Sequence, residues 1–385
     1  MKKVQIVEKS CHREGLKVQR LRNYFESNGY EVISDDHGID PTDKYAFPLQ
    51  NLNVDPDADL IVLTTCGFTK DIEDGDFKAL EMIKKNKKPS AEIIMGGCLT
   101  NMNPERMKEE FGGMTFNMDN YEVFDKFISA KVPYEQIPAT NHMPNSDRFF
   151  IQIQDGCSSR CTFCSIWKAG DSVSKTIEDV MDQFYKGIMD GHERIYLIGE
   201  AAGSFGMDYG KNLGDLFDEI LKVDAQFKLV LEDISPWYIP KCIDQLIELA
   251  RQGKIESLHS PIQSASDRIL RLMGRSCDME QFKKNFKAIR EASADIILSS
   301  AVIVGFPTET REELEQTIEY CRDTTFNTMA CHMYSSRPET KAAEMDGQIS
   351  EEEKVYRYKY FKSNFEGTTR VDPNQRPRVE TPTLV

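Results

Sequence analysis

Short apolar runs alternate with amphipathic segments along this chain, and they do so in two series. In the first, residues 4–7, 31–34, 60–64 and 92–95 read as strands. Residues 16–28, 76–87 and 104–111 carry helical spacing between and after them; the first of these stops at Gly29, a residue suited to the position just past a helix end. Strands alternating with helices predict a parallel sheet in an α/β domain. Pro133, Pro138 and Pro144, set among polar residues, interrupt the pattern and predict a linker over 131–147. The second series places strands at 149–154, 194–198, 228–232, 256–258, 296–304 and 330–334. Its helices are expected at 176–190, 213–223, 240–251, 266–272, 279–291 and 312–324. Six β/α units predict an open or partial barrel, a (β/α)6, with its chemistry at the carboxyl ends of the strands. A charged helix is expected at 350–366, then an extended, loosely ordered tail over 367–385. The division implied is an N-terminal α/β domain at 1–130, the linker, and a second domain at 148–366.

Charge and cysteine content sharpen this picture. The 385 residues carry a formal net charge of −15. Phosphate binding needs a positive field, so nucleic acid is not the expected partner. The densest basic run, Lys84, Lys85, Lys87 and Lys88, falls at the end of a predicted helix, where cations suit the helix dipole. The apolar runs at 59–64 and 296–306 fall short of the roughly 20 residues of a membrane span. No signal-peptide pattern opens the chain. The expectation is a cytoplasmic protein without a membrane partner. Ten cysteines in such a chain point to metal or redox chemistry rather than a disulfide framework.

Three of them cluster. Cys157, Cys161 and Cys164 form C-x3-C-x2-C just after a predicted strand. Thiolates on so short a loop can converge on one inorganic cluster. Three of them saturate three irons of a [4Fe–4S] cube and leave the fourth open, as catalytic metal sites do. A zinc ion completed by a distant ligand is the alternative use of the same spacing. Cys11, Cys66 and Cys98 are far apart in sequence, yet each follows a predicted strand. In a parallel sheet those positions share the edge where α/β folds place their sites. They could hold a second cluster or be buried free thiols. Cys242, Cys277, Cys321 and Cys331 show no shared spacing and read as ordinary thiols.

C-x3-C-x2-C with Phe163 before its last cysteine resembles the signature of the radical S-adenosylmethionine (SAM) superfamily. The resemblance implies that the open iron binds SAM, that an electron from the cluster cleaves it, and that the resulting radical abstracts hydrogen from an unactivated carbon. Ile198-Gly199-Glu200 resembles the element that accepts from the SAM ammonium, and 302–307, ending at Gly305, resembles the turn that packs on adenine. Phe163 would touch adenine or lie in the core. Over about residues 4–366 the chain looks like the methylthiotransferases of this superfamily, most specifically at 259–275, 304–310 and 334–340. That implies an auxiliary [4Fe–4S] cluster on Cys11, Cys66 and Cys98, and a SAM pocket lined by Gln263, Ser264 and Ser266. Ser264 or Ser266 could instead cap the helix that follows. A flavodoxin or ferredoxin would supply the electron.

The departures are specific. Ser10-Cys11-His12-Arg13-Glu14 replaces the usual surroundings of the first cysteine, Glu200 stands where an amide is usual, Ala265 replaces one glycine and Thr308 another. His12 could serve the auxiliary site or face solvent. The small β-barrel that ends family members is not expected in the stretch after Glu366, which is too short for one. The expected reaction is therefore sulfur insertion, as methylthio, thiol or thioether, on a peptide or small molecule. A tRNA methylthiotransferase, or a radical SAM enzyme of another reaction type whose first domain donates no sulfur, are the alternatives.

Overall fold

The computed structural model describes residues 2–9, 11–34, 52–117, 120–142 and 148–365. It divides at Asp147 into two compact units. The tail expected over 367–385 lies outside the described residues.

The first unit contains strands β1 (Lys3–Val7), β2 (Glu31–Ser34), β3 (Leu60–Thr65), β4 (Glu92–Gly97) and β5 (Met114–Phe116). Its helices are α1 (His12–Ser27), α2 (Lys70–Asn86), α3 (Cys98–Met102), α4 (Pro104–Glu110) and α5 (Val123–Ile128). The strands form one sheet in the order β2-β1-β3-β4-β5, and every pairing is parallel. All six residues of β3 are buried, the continuous apolar run that a sheet covered on both faces requires. Successive side chains point to opposite faces: Ile6 and Val62 join a core with Leu21, Phe25 and Phe124, while Val7 and Leu63 join one with Phe77, Leu80 and Ile83.

Three features here differ from the expectation. Helix α2 begins at Lys70 rather than 76, because the Thr69 side chain accepts from the Ile72 N–H and caps an earlier turn. The short elements β5, α3 and α5 were not expected; each is too brief to show a period. The stretch from 131 to 142 is not a free linker: Tyr134 and Ile137 are buried in the first unit's core. Arg20 donates to the carbonyls of Tyr134, Glu135 and Ile137, so Pro133 and Pro138 belong to a packed segment, while Pro144 lies outside the described residues.

The second unit contains β6 (Phe149–Asp155), β7 (Val173–Ser174), β8 (Arg194–Gly199), β9 (Lys228–Leu231), β10 (Ile255–His259), β11 (Ile297–Val304) and β12 (Thr328–Met333). Its helices are α6 (Ile177–Met189), α7 (Leu213–Leu221), α8 (Ile243–Arg251), α9 (Asp267–Leu272), α10 (Met279–Ala292), α11 (Arg311–Asp323) and α12 (Glu351–Phe365). The sheet order is β12-β11-β10-β9-β8-β6-β7. Six strands run parallel, and only the two-residue β7 pairs antiparallel, on β6. This is the expected partial (β/α)6 arrangement. All the carboxyl ends of its parallel strands face one way. One apolar core runs through it, from Phe149 and Phe184 to Phe286, Leu298 and Phe361. Among the described residues no helix is long and apolar enough to cross a membrane.

Candidate metal centre

The loop after β6 is held by backbone geometry before any ligand is considered. Gly156 sits at φ +70°, and a Cβ there would lie 2.4 Å from the Asp171 carbonyl oxygen and 2.7 Å from that of Gly170. Only glycine fits such a left-handed, crowded position. The next amide, Cys157 N–H, donates to Gly170 O at 3.0 Å. Farther along, Thr162 N–H donates to Met273 O at 2.9 Å, and its hydroxyl donates to Leu272 O at 2.8 Å. Ala342 N–H donates to Thr162 O. The cysteine loop is thus tied to β7's entry, to the end of α9 and to the segment before α12.

The three thiols on this loop are half-buried and sense one another. Burial pushes the Cys164 thiol up to about 12, and the neighbouring Cys161 and Cys157 add to the rise. Burial likewise raises Cys157, with Cys161 and Glu200 contributing. Ile166 N–H donates to Cys164 Sγ at 3.5 Å, and Arg275 Nη1 donates to Cys161 Sγ at 3.5 Å. Thiols that are hard to ionise together are stable as protonated neighbours or as ligands whose protons a metal has displaced. Among the described residues no three His, Cys, Asp or Glu are grouped to hold a single metal ion. The donor set, all thiol and electrostatically coupled, fits the cube.

Two buried polar side chains shape the same mouth. Gln154 is fully buried; its amide nitrogen donates to the carbonyls of Asp155 and Gly156 and to Ser172 Oγ at 2.8 Å. Its amide oxygen accepts from Ala201 N–H at 2.9 Å. The sequence offers no signal for this role beyond a polar residue in an apolar strand. Glu200, immediately after β8, accepts from Gly156 N–H through Oε2 at 3.1 Å. Its carboxylate therefore lies beside the first cysteine.

The segment after β10 is more constrained than expected. Gln263 has φ +69°, a left-handed conformation uncommon for a residue with a side chain. Its N–H donates to Ala301 O and its carbonyl accepts from Ile303 N–H, so β11 holds it there. Its side-chain oxygen is buried without a hydrogen-bond partner, which is what a group awaiting a ligand looks like. Ser264 and Ser266 do not offer free hydroxyls. Ser264 Oγ accepts from Ser266 N–H and contacts Thr317 Oγ1. Ser266 Oγ donates to Glu313 Oε1 at 2.8 Å and caps α9 through Ile269 N–H. Of these two serines, Ser266 is the helix cap and Ser264 is not. Phe163 packs against Phe306, Tyr334, Ile269 and Met273. The Gly305 turn is fixed by its N–H donating to Glu309 Oε2 at 2.7 Å. The usual glycine that Thr308 replaces occupies a left-handed position, φ +66°, where a β-branched residue is strained.

The other three candidate thiols lie in the first unit. Cys11 precedes α1 as its N-cap, Cys66 directly follows β3, and Cys98 opens α3 directly after β4. Since β1, β3 and β4 are neighbours, the thiols share the carboxyl edge of three adjacent strands. Between β1 and β3 the strand order reverses, the point where doubly wound sheets open a crevice. Burial pushes the Cys66 thiol well up, and the nearby Cys11 adds to it. Cys66 N–H donates to Asp76 Oδ2 at 2.9 Å, and Lys9 Nζ lies 4.0 Å from Asp76 Oδ1. Burial raises Asp76 well above the usual carboxylate range and lowers Lys9. Neither residue stood out in the sequence. The side chain of His12 lies outside the described residues. Cys242, Cys321 and Cys331 are buried in the second core, and Cys277 is half-buried.

Comparison with known proteins agrees with this geometry. Residues 151–321 match the radical SAM superfamily model, and residues 48–118 match the uncharacterized protein family UPF0004. The threonylcarbamoyladenosine tRNA methylthiotransferase MtaB of Thermotoga maritima is 25% identical over 377 residues, covering 94% of this chain and 81% of its own length. The tRNA-2-methylthio-N(6)-dimethylallyladenosine synthase of Escherichia coli is 28% identical over 359 residues, 88% of this chain and 74% of its own. Among solved structures, the radical SAM methyltransferase TsrM of Kitasatospora setae, with cobalamin and a [4Fe–4S] cluster bound, superposes at TM-score 0.60. It is 13% identical over 89% of this chain and 77% of that one, so it shares the fold.

Proposed function

This chain is a radical SAM protein of the methylthiotransferase-like family, and from that premise we propose that it inserts sulfur, as a methylthio, thiol or thioether group, at an unactivated C–H carbon. As a radical SAM enzyme it works with a [4Fe–4S] cluster and SAM. When bound, the pair supplies the one-electron cleavage that yields a hydrogen-abstracting radical. Cys157, Cys161 and Cys164 hold the cluster, and Gly156 and Gln154 fix the loop that presents them. Glu200 accepts from the SAM ammonium, a charge-assisted bond beside the first cysteine. Gln263 directs its unpartnered amide oxygen to SAM. Phe163 and the Gly305 turn form the apolar wall toward adenine. Ser264 and Ser266 hold the segment that follows Gln263, where Ser264 Oγ accepts from Ser266 N–H and Ser266 Oγ accepts from Ile269 N–H. Cys11, Cys66 and Cys98 hold the auxiliary [4Fe–4S] cluster that handles the sulfur.

One observation carries the sulfur-insertion reading: three thiols at the carboxyl ends of three adjacent parallel strands. A domain that merely binds substrate needs no such set; one that relays electrons through a cluster would, and sulfur transfer by a Cys98→Ala variant separates the two. A peptide or small molecule is the substrate we favour over tRNA, because a net charge of −15 opposes a polyanion. A flavodoxin or ferredoxin is the electron donor. A cytoplasmic location follows from the reducing conditions that keep unpaired thiols available.

The test is iron and sulfide per chain after anaerobic reconstitution, for the wild type and a Cys11/Cys66/Cys98→Ala variant. Each cubane carries about four irons. About eight in the wild type falling to about four in the variant supports two clusters. About four in both leaves a one-cluster radical enzyme and removes the sulfur-insertion reading.

A further inference from the structure

A buried guanidinium stands against the cluster loop, and the sulfur-insertion scheme has no use for it. Helix α9 ends in a Schellman motif: Gly274, at φ +69°, donates to Arg271 O, and Arg275 N–H donates to Leu270 O at 2.8 Å. This reversal turns Arg275 back under the cysteines, at the point where Thr162 N–H bonds to Met273 O. Three contacts then fix its head. Nη1 donates to Cys161 Sγ at 3.5 Å. Nη2 donates to Pro261 O at 2.7 Å. The guanidinium carbon lies 4.4 Å from the centroid of the Trp237 ring. Arg275 is only 6% exposed. Among the described residues it makes no salt bridge, so no carboxylate neutralises it.

A buried cation without a counter-ion is expensive unless a negative partner is supplied. The stack on Trp237 and the Pro261 carbonyl supply part of that compensation. A cluster held by Cys157, Cys161 and Cys164 would be that anionic partner, since Arg275 Nη1 already donates to Cys161 Sγ. We infer that Arg275 is a positioning residue that sets the reduction potential of the radical SAM cluster, by placing a permanent positive charge and an N–H···S bond on the Cys161 ligand. This rests on the assignment of Cys157, Cys161 and Cys164 as cluster ligands. In the step concerned, a one-electron donor adds one electron to the cube; no bond forms or breaks. The cube with three thiolates thereby gains a second net negative charge, which the guanidinium stabilises. Hydrogen bonds to the sulfurs and nearby charge are the protein's main levers on such potentials. Trp237 is part of the device, because its ring holds the guanidinium plane and excludes water that would screen the charge.

The experiment is an EPR-monitored reductive titration of the reconstituted, SAM-free full chain, with iron counted per chain. Arg275→Gln is expected to move the midpoint of the radical SAM cluster to a more negative potential at wild-type iron content. Arg275→Lys is expected to fall between the two, since the charge stays and the fork is lost. Trp237→Leu is expected to shift the midpoint in the same direction as Arg275→Gln but less, and it decides the matter should Arg275→Gln not assemble its cluster. An unmoved midpoint at wild-type iron content overturns the role of Arg275 while leaving the cluster assignment standing. A wild type without a reducible cluster overturns both.

Discussion

Arg357→Met tests whether α12 anchors the Gly305 turn. Glu309, at 2% side-chain exposure, meets Arg357, at 6%. Arg357 Nη1 donates to Glu309 Oε2 at 2.9 Å and to Glu309 O at 2.8 Å. The same carboxylate oxygen accepts from Gly305 N–H, so the turn, the carboxylate and the helix form one unit. Removing one partner of a buried pair typically costs about 3–5 kcal/mol. The lower end applies here. Burial already raises the Glu309 pKa above its ordinary value, and without its guanidinium the acid takes a proton, which limits the loss. About 3 kcal/mol in a domain of this size lowers the melting temperature by roughly 6–12 °C. The sign with pH follows from linkage. An acid whose folded value is raised is destabilising at high pH, so the deficit of the variant shrinks on acidification and grows through neutral pH. Adding Glu309→Gln should restore about 1–3 kcal/mol, the coupling of a contacting pair. The assay is urea denaturation of each variant at two pH values. A loss below about 1 kcal/mol, the worth of an exposed ion pair, would refute the reasoning.

Gly156→Ala forces a Cβ into the carbonyls of Asp171 and Gly170; the loop must shift, and iron in the radical SAM site should fall by more than half in a ferrozine assay. Cys157→Ala should abolish 5′-deoxyadenosine formation, whereas Cys98→Ala should leave it and stop sulfur transfer, both read by chromatography of the products. Sulfurated product from Cys98→Ala protein would end the auxiliary role. Glu353 is held at about 2 by its hydrogen bonds to Arg311 and then Arg357. An acid so depressed contributes stability above its ordinary range and loses it as pH falls toward 2. Glu353→Gln should therefore lower the melting point at pH 6 and make little difference near pH 2.

The sequence determined the order and type of the longer elements, because their hydrophobic periods are long enough to read and the cores demand them. The grouping of Cys157, Cys161 and Cys164 was legible too, since C-x3-C-x2-C places its thiols on one loop whatever the rest of the chain does. Only tertiary structure decided the rest. Strand order, which no local pattern encodes, brings the edges after β1, β3 and β4 together and so makes Cys11, Cys66 and Cys98 neighbours in the sheet. Ser264 and Ser266 read from their motif as pocket residues or as a cap; folding engages both hydroxyls, Ser264 with Thr317 and Ser266 with Glu313, and makes Ser266 the cap of α9. The segment at 131–147 read as a linker because proline marks turns, and turns also occur inside packed segments such as 131–142. Gly274 ends α9 at φ +69°. That the reversal would set Arg275 against Cys161 depends on where α9 meets the cysteine loop, a contact across 114 residues of chain that only the folded packing creates.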